Sequence, residues 1–240
     1  MILLVLIAAV AAIAFVLMNR DDRGSRRVRD DRPAPPSGVR LVEIDLDKGY
    51  RIEPVMARDR AEGDIFPEMM TRLKPYAAIN GTFYDENKRP LGDIVIDGKL
   101  VNRGHYRTAI AVTEDGKVEF RHRARGRFDW DGYEAGLAAG PRLVHEGKIA
   151  LDPVADGFSA RSATLEAVRS GVGLTADNRL LMATVTRPIT LQEFAEIMLD
   201  LGAVEAMNLD GGGACALYLD GEILTLPGLP MANLLVVYKE

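Results

Sequence analysis

The chain has 240 residues and a net charge of -5, with 48% hydrophobic and 27% charged residues. That composition suits one globular domain of about 200 residues with a substantial core, and the mild acidity excludes a general nucleic-acid binder, whose footprint is basic. The single cysteine, Cys215, excludes an internal disulfide and a cysteine-rich zinc site.

Residues 1–18 carry no charged or polar side chain. As a helix this run would be about 27 Å long, close to the hydrocarbon thickness of a bilayer. No basic residue precedes it, and Phe15-Val16-Leu17-Met18-Asn19 lacks the small residues of a cleavage site. The run is expected to be an uncleaved membrane anchor. Residues 19–38, rich in Arg, Asp, Pro, Gly and Ser, read as a flexible linker. Arg20, Arg23, Arg26, Arg27, Arg29 and Arg32 lie on this flank, which the positive-inside rule would keep in the cytoplasm.

The remaining residues, 39–240, read as one domain. Val39-Arg40-Leu41-Val42-Glu43-Ile44-Asp45-Leu46 alternates as a half-buried strand does. Five hairpins are expected, over 95–101, 112–118, 144–149, 174–180 and 218–224. Each is centred on an acidic-Gly or Asp-Asn pair that tolerates the positive φ of a tight turn. A first helix is expected over 62–74, entered near Gly63-Asp64 and ended by Pro75. Thr190-Leu191-Gln192-Glu193 is a capping box opening a second helix through Leu201, with Gly202 as its stop. Its face of Leu191, Phe194, Ile197, Met198 and Leu201 is a core face. These elements predict an α+β domain: a mostly antiparallel sheet of hairpins with a few packed helices. The segment Arg107–Val118 also echoes Arg169–Leu180, with three of twelve positions identical and most others conservative. Each copy opens with an arginine and a hydroxyl residue at the mouth of a strand.

Three stretches carry chemistry. In Asn208-Leu209-Asp210-Gly211-Gly212-Gly213 a carboxylate sits beside three glycines, a backbone whose ordering costs entropy and permits close approach of a ligand. In Asn80-Gly81-Thr82-Phe83-Tyr84 a strand end runs into Asn-Gly and then two aromatics, which suit either a stacked sugar ring or a core. In Gly140-Pro141-Arg142 a rigid turn leaves an arginine at the start of a strand, where it suits an anion, and Arg169 stands similarly. His105, His122 and His145 are scattered with no metal-ligand spacing, and no P-loop, nucleophile elbow or cofactor motif is present.

These pieces, in this order, resemble the phosphodiester glycosidase family. The match rests on Asn80-Gly81-Thr82-Phe83, Gly140-Pro141-Arg142, Arg169-Ser170-Gly171-Val172-Gly173 and Asn208 through Gly213, and spans residues 40–238. The chain departs from the family pattern at Thr82, Tyr84 and Ala214-Cys215, where the family has Gly, Phe and hydroxyl residues respectively. The resemblance implies an α+β domain that cleaves a sugar from a sugar-1-phosphodiester, in a cleft lined by Asn80, Arg142, Arg169, Asn208 and Asp210. It also favours an extracytoplasmic domain, against the arginine-rich flank.

Phosphate leaves as an anion, so such chemistry depends on gripping phosphate and stabilising positive charge at the anomeric carbon. Arg142 and Arg169 are therefore assigned to phosphate, with a backbone nest at Gly211, Gly212 and Gly213 beside it. Asp210 is the candidate catalytic carboxylate, positioning water or stabilising the oxocarbenium-like centre. Asn80 and Asn208 would bind sugar hydroxyls or orient Asp210, and Gly81 and Phe83 complete the substrate wall. A second carboxylate, if used, is Asp85 or Asp93. The expected partners are a glycan or sugar-phosphate substrate and, through the N-terminal run, a membrane; no metal or cofactor is implied. The rival reading is a membrane-tethered, non-catalytic glycan-binding domain.

Overall fold

The five expected turns all form. In a computed structural model, which describes residues 35–239, positive φ occurs at Asp97-Gly98, Gly116, Glu146-Gly147, Asn178 and Asp220-Gly221. Each closes an antiparallel pair: β4 (Ile94–Ile96) with β5 (Lys99–Asn102), and β6 (Thr108–Thr113) with β7 (Val118–His122). The others join β9 (Arg142–His145) to β10 (Lys148–Ile149), β11 (Ala167–Thr175) to β12 (Arg179–Ile189), and β14 (Leu217–Leu219) to β15 (Glu222–Thr225). Both copies of the internal echo are thus hairpins, β6–β7 and β11–β12.

Six further strands complete three antiparallel sheets: β1 (Val39–Asp45), β2 (Tyr50–Met56), β3 (Ala77–Asn80), β8 (Tyr133–Ala139), β13 (Ala203–Asn208) and β16 (Asn233–Lys239). The first sheet runs β1-β12-β11-β13-β9-β10, the second β15-β14-β3-β16-β2, and the third β5-β4-β8-β6-β7. Their inner faces share one apolar core, to which Ile44, Ile79, Ile110, Leu137, Val172, Met182, Met207 and Leu235 contribute. The mostly antiparallel α+β architecture is the one the sequence implies.

Two helices cover outer faces. Helix α2 (Leu191–Asp200) keeps its capping box: the Glu193 N–H donates to Thr190 Oγ1 at 3.1 Å and the Thr190 N–H donates to Glu193 Oε2 at 2.8 Å. Its Leu191, Phe194 and Met198 pack under the first sheet. Gly171 on β11 makes room for that helix, since a Cβ there would lie 2.8 Å from the Phe194 ring. Helix α1 (Phe66–Leu73) starts later than its sequence suggests. Asp64 is occupied by the preceding loop, accepting from the Arg58 and Asp59 N–H groups, both at 3.0 Å, and from Arg72 at 2.7 Å. The helix therefore opens at Phe66-Pro67, and Phe66, Met69 and Met70 pack on the second sheet.

The outer face of the third sheet has an aromatic cover instead. Phe128, Trp130 and Tyr106 bury it. Among the described residues no helix is long and apolar enough to cross a membrane. The expected anchor, 1–18, and nearly all of the linker lie outside the described residues.

Candidate active site

One rim of the three-sheet body collects the ends of strands from every sheet. Register places Asn208 opposite Gly171, Met207 opposite Arg142, Asn80 opposite Leu234, and Ala139 opposite Thr108. Backbone bonds lace the sheets together there. The Gly140 N–H donates to the Asn208 carbonyl at 2.9 Å, and the Asp210 N–H donates to the Gly81 carbonyl at 3.2 Å.

Asn80 is the hub. It is 1% exposed and bonded in three directions. Its Nδ2 donates to the Asp210 carbonyl at 2.7 Å, while its Oδ1 accepts from Ser170 Oγ at 2.7 Å and from the Ala216 N–H at 3.1 Å. The side chain therefore fixes the backbone of the acid loop against strands of two sheets. Gly81 must be glycine for a neighbouring reason: a Cβ would lie 2.0 Å from Asn233 Oδ1. That oxygen accepts the Thr82 N–H at 2.7 Å, and Asn233 Nδ2 donates to the Thr82 carbonyl at 3.1 Å. Asn208 is equally buried, its Nδ2 donating to the Leu209 and Gly140 carbonyls at 2.6 and 3.2 Å. Buried polar atoms normally have partners. Asn208 Oδ1, Thr82 Oγ1 and Arg142 Nε have none among the described residues, and all three belong to this rim.

The Asp210 carboxyl accepts the Gly211 N–H at 2.9 Å. Burial pushes its pKa up to about 6, with that hydrogen bond and the Lys88 charge opposing the rise. A carboxyl held near neutrality in a cleft is a candidate functional group. Its field reaches two phenols, since Tyr106 and Tyr84 are both raised by burial and then by Asp210. Tyr106 belongs to an aromatic wall. Its ring stacks on Phe158 at 4.7 Å, and Phe83 meets both rings at 5.4 and 5.6 Å. On another side the Lys88 ammonium lies 4.4 Å from the Tyr84 ring centroid and donates to the Pro230 carbonyl at 3.3 Å.

The three glycines serve different ends. Gly211 faces the Val168 carbonyl and Gly213 faces Leu229, while Gly212, at φ 61, turns in open space. Gly212–Ala214 forms a 3-10 turn. Cys215, which follows it, is buried and its thiol is pushed up to about 12, so it is no nucleophile at neutral pH.

The comparisons with known proteins bear directly on this rim. The model of the phosphodiester glycosidase family matches residues 74–238, a span that contains all four motifs.

The chain belongs to the phosphodiester glycosidase family.

No curated protein matches the chain. Among solved structures, it is similar to the zebrafish N-acetylglucosamine-1-phosphodiester alpha-N-acetylglucosaminidase catalytic domain auto-inhibited by its pro-peptide. The TM-score is 0.67 at 17% identity over 88% of this chain and 85% of that one. It is also similar to a hypothetical protein from Synechocystis, with a TM-score of 0.64 at 19% identity over 84% of this chain. The chain spans 59% of the length of that second protein.

Within this phosphodiester glycosidase fold, Asn80, Gly81 and Asp210 form one bonded cluster, Asn208 stands two residues before Asp210 with its side chain on the Leu209 and Gly140 carbonyls, Gly211 to Gly213 follow, and Phe83 lies in the aromatic wall. The two arginines differ in their partners: Arg169 turns to backbone carbonyls, whereas Arg142 Nε is one of the rim atoms unpartnered among the described residues. Arg169 is 7% exposed, donates from Nε to the Ile189 carbonyl at 3.1 Å and from Nη2 to the Leu165 carbonyl, and is lowered in pKa by burial. Arg142 donates its N–H to Asp156 at 2.6 Å, and its charge acts on His122 and Asp156. Burial raises Asp156 and lowers His122, whose ring nitrogen lies 3.1 Å from Thr108 Oγ1. Neither guanidinium is bonded to Asp210. For Arg169 we expect Arg169→Lys to cost about 1–3 kcal/mol in urea denaturation, because an ammonium on a flexible stem cannot reproduce the two-carbonyl fork.

The two spare carboxylates also have structural duties. Asp93 is 2% exposed and accepts from Arg103, Trp130 Nε1 and the Gly104 N–H at 2.9, 2.8 and 2.7 Å. Asp85 closes a turn by accepting the Asn87 and Arg89 N–H groups, both at 2.9 Å. Sequence reasoning missed Ser170 as a partner of Asn80, Asn233 as the clamp on Gly81-Thr82, and Lys88 as the cation acting on Asp210. None carries a local signature. Tyr84, which bridges antiparallel to Pro90 and so opens the short hairpin that carries Lys88, is the sequence's one hint that this segment reaches the site.

Proposed function

We propose that this chain hydrolyses a sugar-1-phosphodiester at the anomeric carbon. Water adds to that carbon, the carbon–oxygen bond breaks, and the phosphomonoester departs with the electron pair. The water proton passes to solvent or to the departing phosphate. The observation that carries the reading is Asp210: a carboxyl raised to about 6 by burial, on a backbone held by Asn80 and Gly81, in a member of this family. Asp210 acts as the carboxylate, either orienting water or facing the developing positive charge. Phe83, backed by Tyr106 and Phe158, supplies a face for the sugar ring, and Asn208 a polar group at its floor. The domain is held at the outer face of a membrane by residues 1–18.

The test is a panel of methyl sugar-1-phosphodiesters with product analysis. Free reducing sugar together with methyl phosphate is the expected outcome. Sugar-1-phosphate as the product, or binding without turnover, overturns the proposal. The pH profile supplies a second check. Either role of Asp210 requires ionisation, so kcat/KM should rise through about pH 6 and then level off. A profile that falls across the same interval would assign Asp210 the opposite role, that of a proton donor. A C-terminal reporter fused at Glu240 reads the side of the membrane, and a cytoplasmic signal would refute the placement.

A further inference from the structure

The loop between β15 and β16, Leu226-Pro227-Gly228-Leu229-Pro230, forms a lip beside the acid loop. It is tied to the acid loop, since the Gly228 N–H donates to the Gly213 carbonyl at 2.9 Å, and Leu229 packs 3.1 Å from where a Gly213 Cβ would stand. It is tied to the opposite hairpin too, because the Pro230 carbonyl accepts from Lys88 Nζ at 3.3 Å and from Tyr84 OH at 3.4 Å. Two prolines stiffen it. On this fixed lip the residues Leu226 and Leu229 are 66% and 49% exposed. A single exposed leucine needs no explanation, but two on one short braced loop beside a cation and a buried acid do.

An acid loop, a cation and an aliphatic surface all meet on this one short loop. A phosphodiester offers a matching part for each: anomeric carbon, anionic phosphate, second alcohol. We propose that Lys88 holds the phosphate and that the second alcohol is an apolar chain lying over Leu229 and Leu226. This inference rests on the hydrolysis reading above and names its substrate class: sugar-1-phosphates esterified to an aliphatic alcohol. The ammonium matches the anionic centre in charge, and Leu229 adjoins both Gly213 and Pro230, the residue whose carbonyl Lys88 bonds.

The experiment uses the full chain and two esters of one sugar-1-phosphate, methyl and hexyl. The hexyl ester should show a KM on the order of 10–100-fold lower at similar kcat, since each added methylene can be buried. The double variant Leu226→Ser/Leu229→Ser should bring the two KM values together. Lys88→Gln should raise KM for both esters by about 10-fold, with Lys88→Arg restoring part of the loss. Equal KM values for the two esters in the unmodified protein, or an undiminished hexyl preference in the double variant, overturns the inference. If neither ester is cleaved, the hydrolysis reading fails by itself. Calorimetric binding of the same esters then decides this one, with tighter hexyl binding supporting it and equal binding overturning it.

Discussion

Replacing Asp210 with Asn should lower kcat/KM by about 10²–10⁴-fold and, at pH 8, make the protein more stable. The two effects have one cause. The Asp210 carboxyl is raised from 3.8 to about 6 because burial opposes its ionisation. A group raised in the folded state contributes stability that is complete below its unfolded value and lost as pH climbs through its folded one. Above about pH 6 both states are ionised, but the fold holds in a buried place the charge that the unfolded chain holds in water, a cost of about 3 kcal/mol. Asn keeps an oxygen for the Gly211 N–H and bears no charge. The variant's melting temperature should exceed the parent's by about 5–10 °C at pH 8, and the gap should close below pH 4. Differential scanning calorimetry at both pH values measures it. A variant that loses activity and also melts lower at pH 8 would make Asp210 a structural residue.

Asn80→Ala is expected to have the largest destabilising effect. The substitution removes three bonds at once, leaving the Ala216 N–H, the Ser170 hydroxyl and the Asp210 carbonyl without their partner in a site 1% exposed. Buried groups stranded in this way cost about 1–3 kcal/mol each, so a total of order 3–5 kcal/mol follows, allowing for relaxation. Activity should fall as well, because the Asp210 backbone loses the Asn80 amide and keeps only the Gly81 carbonyl and a long contact from the Cys215 thiol. Denaturant midpoints combined with kcat on the folded fraction separate the effects. Unchanged stability would show that the three contacts contribute nothing net. Ser170→Ala is the milder companion, removing one bond of the three, and a double-mutant cycle between the two positions isolates their coupling.

The legible part of this protein was local. Asp97-Gly98, Glu146-Gly147 and Asp220-Gly221 announce hairpins because few residue pairs accept positive φ, a preference that acts within four residues. Thr190 and Glu193 announce a helix start for the same reason: both partners of the capping box lie in one turn. The first helix was misplaced where a longer-range demand intervened, Asp64 being drawn to Arg58, Asp59 and Arg72.

The site divides along the same line. That Asn80-Gly81, Gly140-Pro141-Arg142 and Asn208 through Gly213 are special follows from the sequence by itself, because glycine beside a polar residue at a strand end is a local oddity and its pattern is a family's. What those residues touch was decided by tertiary structure alone. Asn80 meets Ser170 across ninety positions and Ala216 across 136, and Thr82 meets Asn233 across 151. Arg169 stands at its strand mouth as its sequence indicates, yet its guanidinium goes to carbonyls at Ile189 and Leu165. Lys88 reaches the acid's neighbourhood because a hairpin folds it back toward Pro230. Backbone preferences are written into neighbouring residues, whereas the direction of a long polar side chain depends on which donors and acceptors the packed sheets bring within 3 Å.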